Sequence, residues 1–265
     1  MNNVLVFDTE TTGLPKHGPQ WITQLCIMEY NMEREKVVRL YDKYISLPEG
    51  VIIPEFIVGI TKITQDMCTN TGTSPVQMLI AFTEAYLRSD TIVSHNLDGF
   101  DKVLILMEMS RYCKELDILC PSYKYVFDPT YEAEHGIIHA CTMKSSTNLC
   151  NIRRSTKLNK NGVIKTRNHW KNPKFPSLKE LYRFLFGVEP DILHNAFPDT
   201  LNCLKCFIKI SPYKGECLEN FDVVFADGVM QYGVETEEEQ EAELMFEYWT
   251  PMIPLRRSMR LMKNV

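Results

Sequence analysis

The chain has 265 residues, 45% of them hydrophobic and 24% charged, which is enough apolar material for one sizeable core and a smaller appendage. No run approaches the ~18 uninterrupted apolar residues of a membrane span, and Asp8 interrupts the first apolar stretch too early for a secretory signal. A soluble intracellular protein with no membrane partner is expected. Nine cysteines, odd in number and scattered through apolar runs such as LCIM and HACTM, fit a reducing compartment, cytoplasm or nucleus. The net charge of −5 conceals an asymmetry: residues 144–179 hold ten Lys or Arg and no acid, whereas 215–255 hold eleven acids and no Lys or Arg.

In chain order, NVLVFD is a short apolar run of strand length, followed by ITQLCIMEY and KVVRLYDKYIS with turn-like GLPKHGPQ and NMERE between them. Short links between three strands predict an antiparallel meander. SPVQMLIAFTEAYLRS reads as a helix with Ser74 as N-cap, Pro75 at its first position, and Val76, Leu79, Ile80, Thr83, Tyr86 and Leu87 on one face. TIVSH is a fourth strand, FDKVLILMEMSRYC a helix and IIHACTM a fifth strand. SLKELYRFLFGV is a helix with a Ser177/Glu180 capping box and Gly187 at its end, and a last helix runs from about Pro198 through LNCLKCFIKI. A meander followed by alternating helices and strands predicts an α/β domain over residues 1–210, with a mixed five-stranded sheet flanked by helices. The stretch 145–176 lacks apolar periodicity and reads as a basic loop insertion, set near 144–176, and 211–265 as a separate acidic tail.

Asp8 and Glu10 stand two apart at the end of the first strand, so the pleat sends both carboxylates to one side. Like charges held together favour a cation between them, and hard oxygen ligands suit Mg²⁺ or Mn²⁺. Alone, D-x-E is a common pair that also ends strands and opens turns. Cys203 and Cys206 form a single C-x-x-C without a partner pair, on a helix beside Leu204 and Phe207, and read as core. His17, His135, His139 and His169 read as surface or core histidines.

The wider context of Asp8 and Glu10 carries a resemblance. FDTETTGLP resembles the first motif of the DEDDh (DnaQ-like) 3′-5′ exonucleases, VSHNLDGFD the second, and HNAFPD the third, in that order along the chain. Weaker likeness extends through QLCIM, HACTMK and FPSLKELYRFLFG. The spacing between His95 and Asp101 is most similar to that of the three-prime repair exonucleases. VGITKITQDM departs from the pattern, lacking a histidine commonly found there.

The resemblance implies a ribonuclease-H-like fold and a metal-dependent exonuclease that releases nucleoside 5′-monophosphates from a 3′ end. Two ions, Mg²⁺ or Mn²⁺, would be held by Asp8, Glu10, Asp101 and Asp199, with His194 as general base. Thr11, Thr12, Gly13 and Leu14 would contact the terminal nucleotide. His95 and Asn96 would hold the second motif's loop or a phosphate, and Asp98 is expected to cap the following helix. In the insertion, Arg153, Arg154, Lys157 and Lys160 with Trp170 combine phosphate-seeking charge with a ring on which bases stack. The expected partner is a single-stranded or frayed nucleic-acid 3′ end, DNA preferred, in repair, proofreading or processing. A protein partner is a second possibility, through 215–265. Two alternatives stay open: an exoribonuclease of the same fold, and a non-catalytic nucleic-acid-binding module, whose mark would be a lost ligand.

Overall fold

A computed structural model describes residues 3–18, 20–153, 173–190, 194–211 and 224–225. The chain divides into two units, Met1–Val229 and Met230–Val265, and every described residue belongs to the first. Six strands form one sheet: β1 (Asn3–Thr11), β2 (Ile22–Asn31), β3 (Lys36–Tyr44), β4 (Thr91–Ser94), β5 (Ile138–Cys141) and the two-residue β6 (Val224–Phe225). Their spatial order is β5-β4-β1-β2-β3-β6. The expected meander is present as antiparallel β1/β2 and β2/β3 pairs, and β4 and β5 add in parallel beside β1. β6, drawn from the segment assigned above to the tail, pairs in parallel with β3 and makes the sheet six-stranded.

The sheet alternates as a two-sided core requires. Leu5 and Phe7 face one cluster with Phe82 and Tyr86 of α3 (Pro75–Leu87) and Leu104 of α4 (Asp101–Arg111). Val4 and Val6 face a second cluster with Leu181 of α8 (Leu178–Phe186) and Leu204 and Phe207 of α9 (Ala196–Ile210). Every residue of β2 from Ile22 to Tyr30 is buried, as a central strand covered on both faces must be. Cys203 and Cys206 lie inside the second cluster.

Sequence signals and structure agree at the caps of α3 and α8: Ser74 and Ser177 accept from the third helical N–H, and Gly187 ends α8 at φ 72°. The buried face of α3 is shifted, with Met78, Phe82 and Ala85 buried while Val76, Ile80 and Leu87 are only partly so. The last helix opens at Ala196, two residues earlier than Pro198, because Asn195 supplies the cap and proline is tolerated in a first turn. Residues 145–150, read as loop, belong to α7 (Thr142–Cys150). The hydroxyls of Ser145, Ser146 and Thr147 donate back to carbonyls one turn earlier, at 2.6 to 2.7 Å, so a polar run stays helical. Three more short helices are α1 (Glu55–Thr61), whose Ile57 and Val58 join a small apolar cluster with Ile53, Ile63 and Cys68, and α2 (Gln65–Thr71) and α6 (Pro129–His135), which lack an apolar stripe; α5 (Cys113–Leu119) follows α4 after a break at Tyr112. No helix among the described residues is long and apolar enough to cross a membrane.

Candidate active site

The even positions of β1 face α9, so the pleat that buries Val4 and Val6 carries Asp8 and Glu10 to the same side, toward Asp199 in the first turn of α9. One carboxylate oxygen from each of Asp8, Glu10 and Asp199 lies within 4.8 Å of the others. Asp101 arrives differently. The parallel β1/β4 ladder ends at Val6/Val93, and the opening strands leave Thr9 and Ser94 without a ladder partner in that pair. Asp101, the first residue of α4 and fully buried, fills that gap. Its Oδ1 accepts the Thr9 N–H at 3.1 Å and the Thr9 hydroxyl at 2.8 Å, and its Oδ2 accepts the Ser94 hydroxyl.

Electrostatically the four acids form one group. Burial raises the Asp8 carboxyl well above its usual range, and the charges of Asp101, Asp199 and Glu10 raise it further. Glu10 is pushed up to about 8 by burial, then by Asp199 and Asp101. Burial also lifts Asp101 and Asp199 to about 6, opposed by the Ser94 and Thr9 donors and by the His194 N–H respectively. Asp199 Oδ2 accepts that N–H at 2.9 Å, while its Oδ1 is buried without a hydrogen-bond partner among the described residues. Asp8, Glu10 and Asp199, close enough to share an ion and none of them in an ion pair among the described residues, together with an orphaned carboxylate oxygen, fit a hard divalent cation, with Asp101 beside them in the same electrostatic group.

His194 is exposed and turns through φ 64° directly before the Asn195 cap. Beyond Glu10 the β1/β2 register slips, Glu10 facing Gln24 and Thr11 facing Ile22, which re-aims the first motif's loop. In that loop the Thr11 hydroxyl donates to Gly13 O at 2.6 Å, and Thr12 is tied to Gln20 and Trp21. Both threonine side chains are therefore spent on shaping the loop. Gly13 lies against Gln20, whose Oε1 would sit 2.6 Å from an added Cβ, and Leu14 is exposed.

His95 lies beside the site with both ring nitrogens on protein partners, Nε2 at 3.1 Å from Pro176 O and Nδ1 at 3.0 Å from Thr142 Oγ1. A carbonyl only accepts, so Nε2 carries the proton and Nδ1 takes the threonine hydroxyl. Burial pushes this imidazole down to about 4. It joins β4 to α7 and to the entry of α8, with no ring nitrogen left for a phosphate. Asn96 sits in the left-handed region at φ 81° and its carbonyl accepts from Gly99 and Phe100. Asp98 does not cap α4: its carboxylate binds Lys144 at 2.5 Å, and Phe100 at the cap position makes no side-chain bond. Arg153 is exposed, and Arg154, Lys157, Lys160 and Trp170 lie outside the described residues, as do 212–223 and 226–265 of the acidic tail. Sequence reasoning passed over Thr9 and Ser94, the donors that orient Asp101. Their signal is a hydroxyl inside each motif, D-T-E and V-S-H.

The fold has solved relatives. Exonuclease I of E. coli in complex with a dT13 oligonucleotide matches with a TM-score of 0.56 at 16% identity, covering 79% of this chain and 41% of that one. The same enzyme with a dA16 oligonucleotide gives 0.54 at 15%, over 79% and 41%, and the zinc-bound ExoI–ssDNA complex 0.54 at 15%, over 77% and 39%. This chain spans about two fifths of the length of those proteins. No curated protein matches it in sequence. A family model described as Exonuclease (RNase_T) matches residues 5–207. That span contains the whole carboxylate group and His194, and the chain belongs to the RNase_T exonuclease family, of the DnaQ-like kind that its motifs resemble.

Proposed function

We propose that this nuclease removes nucleotides from the 3′ end of single-stranded DNA, with divalent cations, Mg²⁺ or Mn²⁺, held by Asp8, Glu10, Asp101 and Asp199. The observation that carries the reading is the group of Asp8, Glu10 and Asp199 with Asp101 beside it, which meets no protein cation among the described residues and in which Asp199 Oδ1 has no hydrogen-bond partner among them. Bound cations would supply Lewis-acid stabilisation of the charge that builds on the scissile phosphate. Thr9 and Ser94 hold both carboxylate oxygens of Asp101, and Asp199 is carried in the first turn of α9. His194 takes the proton of the attacking water on an imidazole nitrogen, from an exposed position next to the helix that carries Asp199. Leu14, exposed at the tip of the shaped loop, lies against the terminal nucleotide. That solved relatives of the fold are complexes with dT13 and dA16 supports DNA as the substrate.

The test is digestion of matched DNA and RNA oligonucleotides, labelled at either end, with Mg²⁺, Mn²⁺ or EDTA. A ladder shortening from the 3′ end of DNA, with release of 5′-monophosphates and silence in EDTA, is expected. Full cleavage in EDTA would remove the metal mechanism, and cleavage of RNA alone would reassign the substrate.

A further inference from the structure

Gln24 lies on β2 directly opposite Glu10 and is 1% exposed. Its Nε2 donates to Asp42 Oδ1 on β3 at 2.8 Å and to Asn195 Oδ1 at 3.4 Å, while its Oε1 accepts the Ala196 N–H at 3.1 Å. A carboxylate only accepts and a backbone N–H only donates, so Asp42 and Ala196 fix which way the amide points. Asn195 Oδ1 also accepts the Phe197 N–H at 3.2 Å. The first two N–H groups of α9, which no helix can satisfy from within, are thus held by the strand and by the cap.

This clamp is polar beside an apolar cluster that packs the rest of α9 on the sheet from Ala196, Cys203, Leu204 and Phe207. A buried amide costs free energy unless every bond is made, and a leucine of similar volume would pack there without that demand. The clamp's position gives it a use. His194 precedes Asn195, Asp199 follows it by one turn, and both extend from the point at which Gln24 holds the chain.

We propose that Gln24, oriented by Asp42, is a positioning residue that sets the depth of the first turn of α9 and thereby places His194 and Asp199 against Asp8 and Glu10. In catalytic terms this rests on the hydrolytic reading above. The cation site supplies a readout independent of it.

In the full-length chain, Gln24→Leu keeps the volume and removes the clamp. It is expected to lower kcat by ~10- to 100-fold with KM within about twofold, and to weaken Mn²⁺ binding, measured by calorimetry without substrate at a temperature where the variant is folded, by ~10-fold; the melting temperature falls as well, because the Ala196 N–H and the Asp42 carboxylate lose their partner. Asp42→Asn keeps an acceptor for Nε2 and should retain kcat within ~3-fold of the unmodified chain. Should Gln24→Leu fail to fold, Asn195→Ala opens the clamp from the helix side and is expected to show the same fall in kcat and Mn²⁺ affinity. Unaltered kcat and Mn²⁺ affinity in a folded clamp variant overturns the proposal. An unmodified chain that cleaves nothing, with Mn²⁺ affinity still lost in Gln24→Leu, would sink the hydrolytic reading and leave the positioning role standing.

Discussion

Carboxylates at two places in the domain are treated in opposite ways. Glu29 on β2, 3% exposed, receives Arg88 Nη2 at 2.6 Å and Nε at 3.1 Å, with Arg39 at 3.4 Å. Toward the other end of β1, Asp8, Glu10, Asp101 and Asp199 crowd together, and none of them meets an arginine or lysine among the described residues. The chain evidently can bring a guanidinium to a buried carboxylate. Where the described residues bring none, the charge is relieved by protons or by a cation, which is the contrast the proposed function rests on.

The contrast is broken most severely at Asp8. Asp8→Asn should lower cleavage by ~10³-fold or more, since it removes charge at the point of greatest crowding. The same substitution should stabilise the metal-free chain. In the fold Glu10 titrates at about 8 and Asp101 and Asp199 at about 6, all above the usual carboxylate range. The folded chain therefore holds more protons than the unfolded chain between about pH 4 and pH 8. Stability without metal must fall as pH rises through that window. Denaturation in EDTA at pH 5 and pH 8 checks the sign, and Mg²⁺ should reverse the loss at pH 8. A metal-free protein that grows more stable toward pH 8 would contradict the electrostatic account.

A smaller effect is expected at His194. His194→Ala should reduce kcat by ~10²-fold, about 2.7 kcal/mol of barrier, with Mn²⁺ affinity close to that of the unmodified chain. Wild-type turnover between pH 6 and 9 would strike it from the reaction. Arg88→Ala sharpens the comparison from the structural side. It leaves Glu29 buried with Arg39 alone, and because Arg88 is itself 35% exposed the loss should be nearer ~2 kcal/mol than the cost of a fully buried pair. Urea denaturation reads that loss, and kcat per folded molecule should not move.

What the sequence makes legible follows from local rules. Period-two alternation in NVLVFDTE places Asp8 and Glu10 on one face whatever lies opposite, and S-x-x-E with a following glycine marks α8 without reference to packing. α6 was open to the same reasoning, with Asp128, Pro129 and Gly136 at its ends, and it was missed because it has no apolar stripe. α2 is capped by Thr64, but with Met67 where Glu or Gln completes the usual box. The clamp is illegible for a deeper reason. A glutamine in a strand has no chemistry of its own, and Gln24 acquires a role only when residues 171 and 172 positions away are brought against it. Likewise the two bonds of His95 are set by tertiary contacts with Thr142 and Pro176, and no spacing rule announces them.

The root of the basic insertion has a consequence for how such a protein can change over generations. The Lys174 N–H donates to Ile152 O at 2.8 Å, Lys174 Nζ reaches Glu180 at 2.5 Å, and Pro176 is tied to His95, so the chain re-enters the domain where it left it. A segment whose two ends are already fastened side by side can double in length for only about 0.6 kcal/mol of closure entropy. Residues between 153 and 173 can thus be rewritten, lengthened or exchanged while the carboxylates keep their register. Heritable variation in this segment is in this way uncoupled from the carboxylate group.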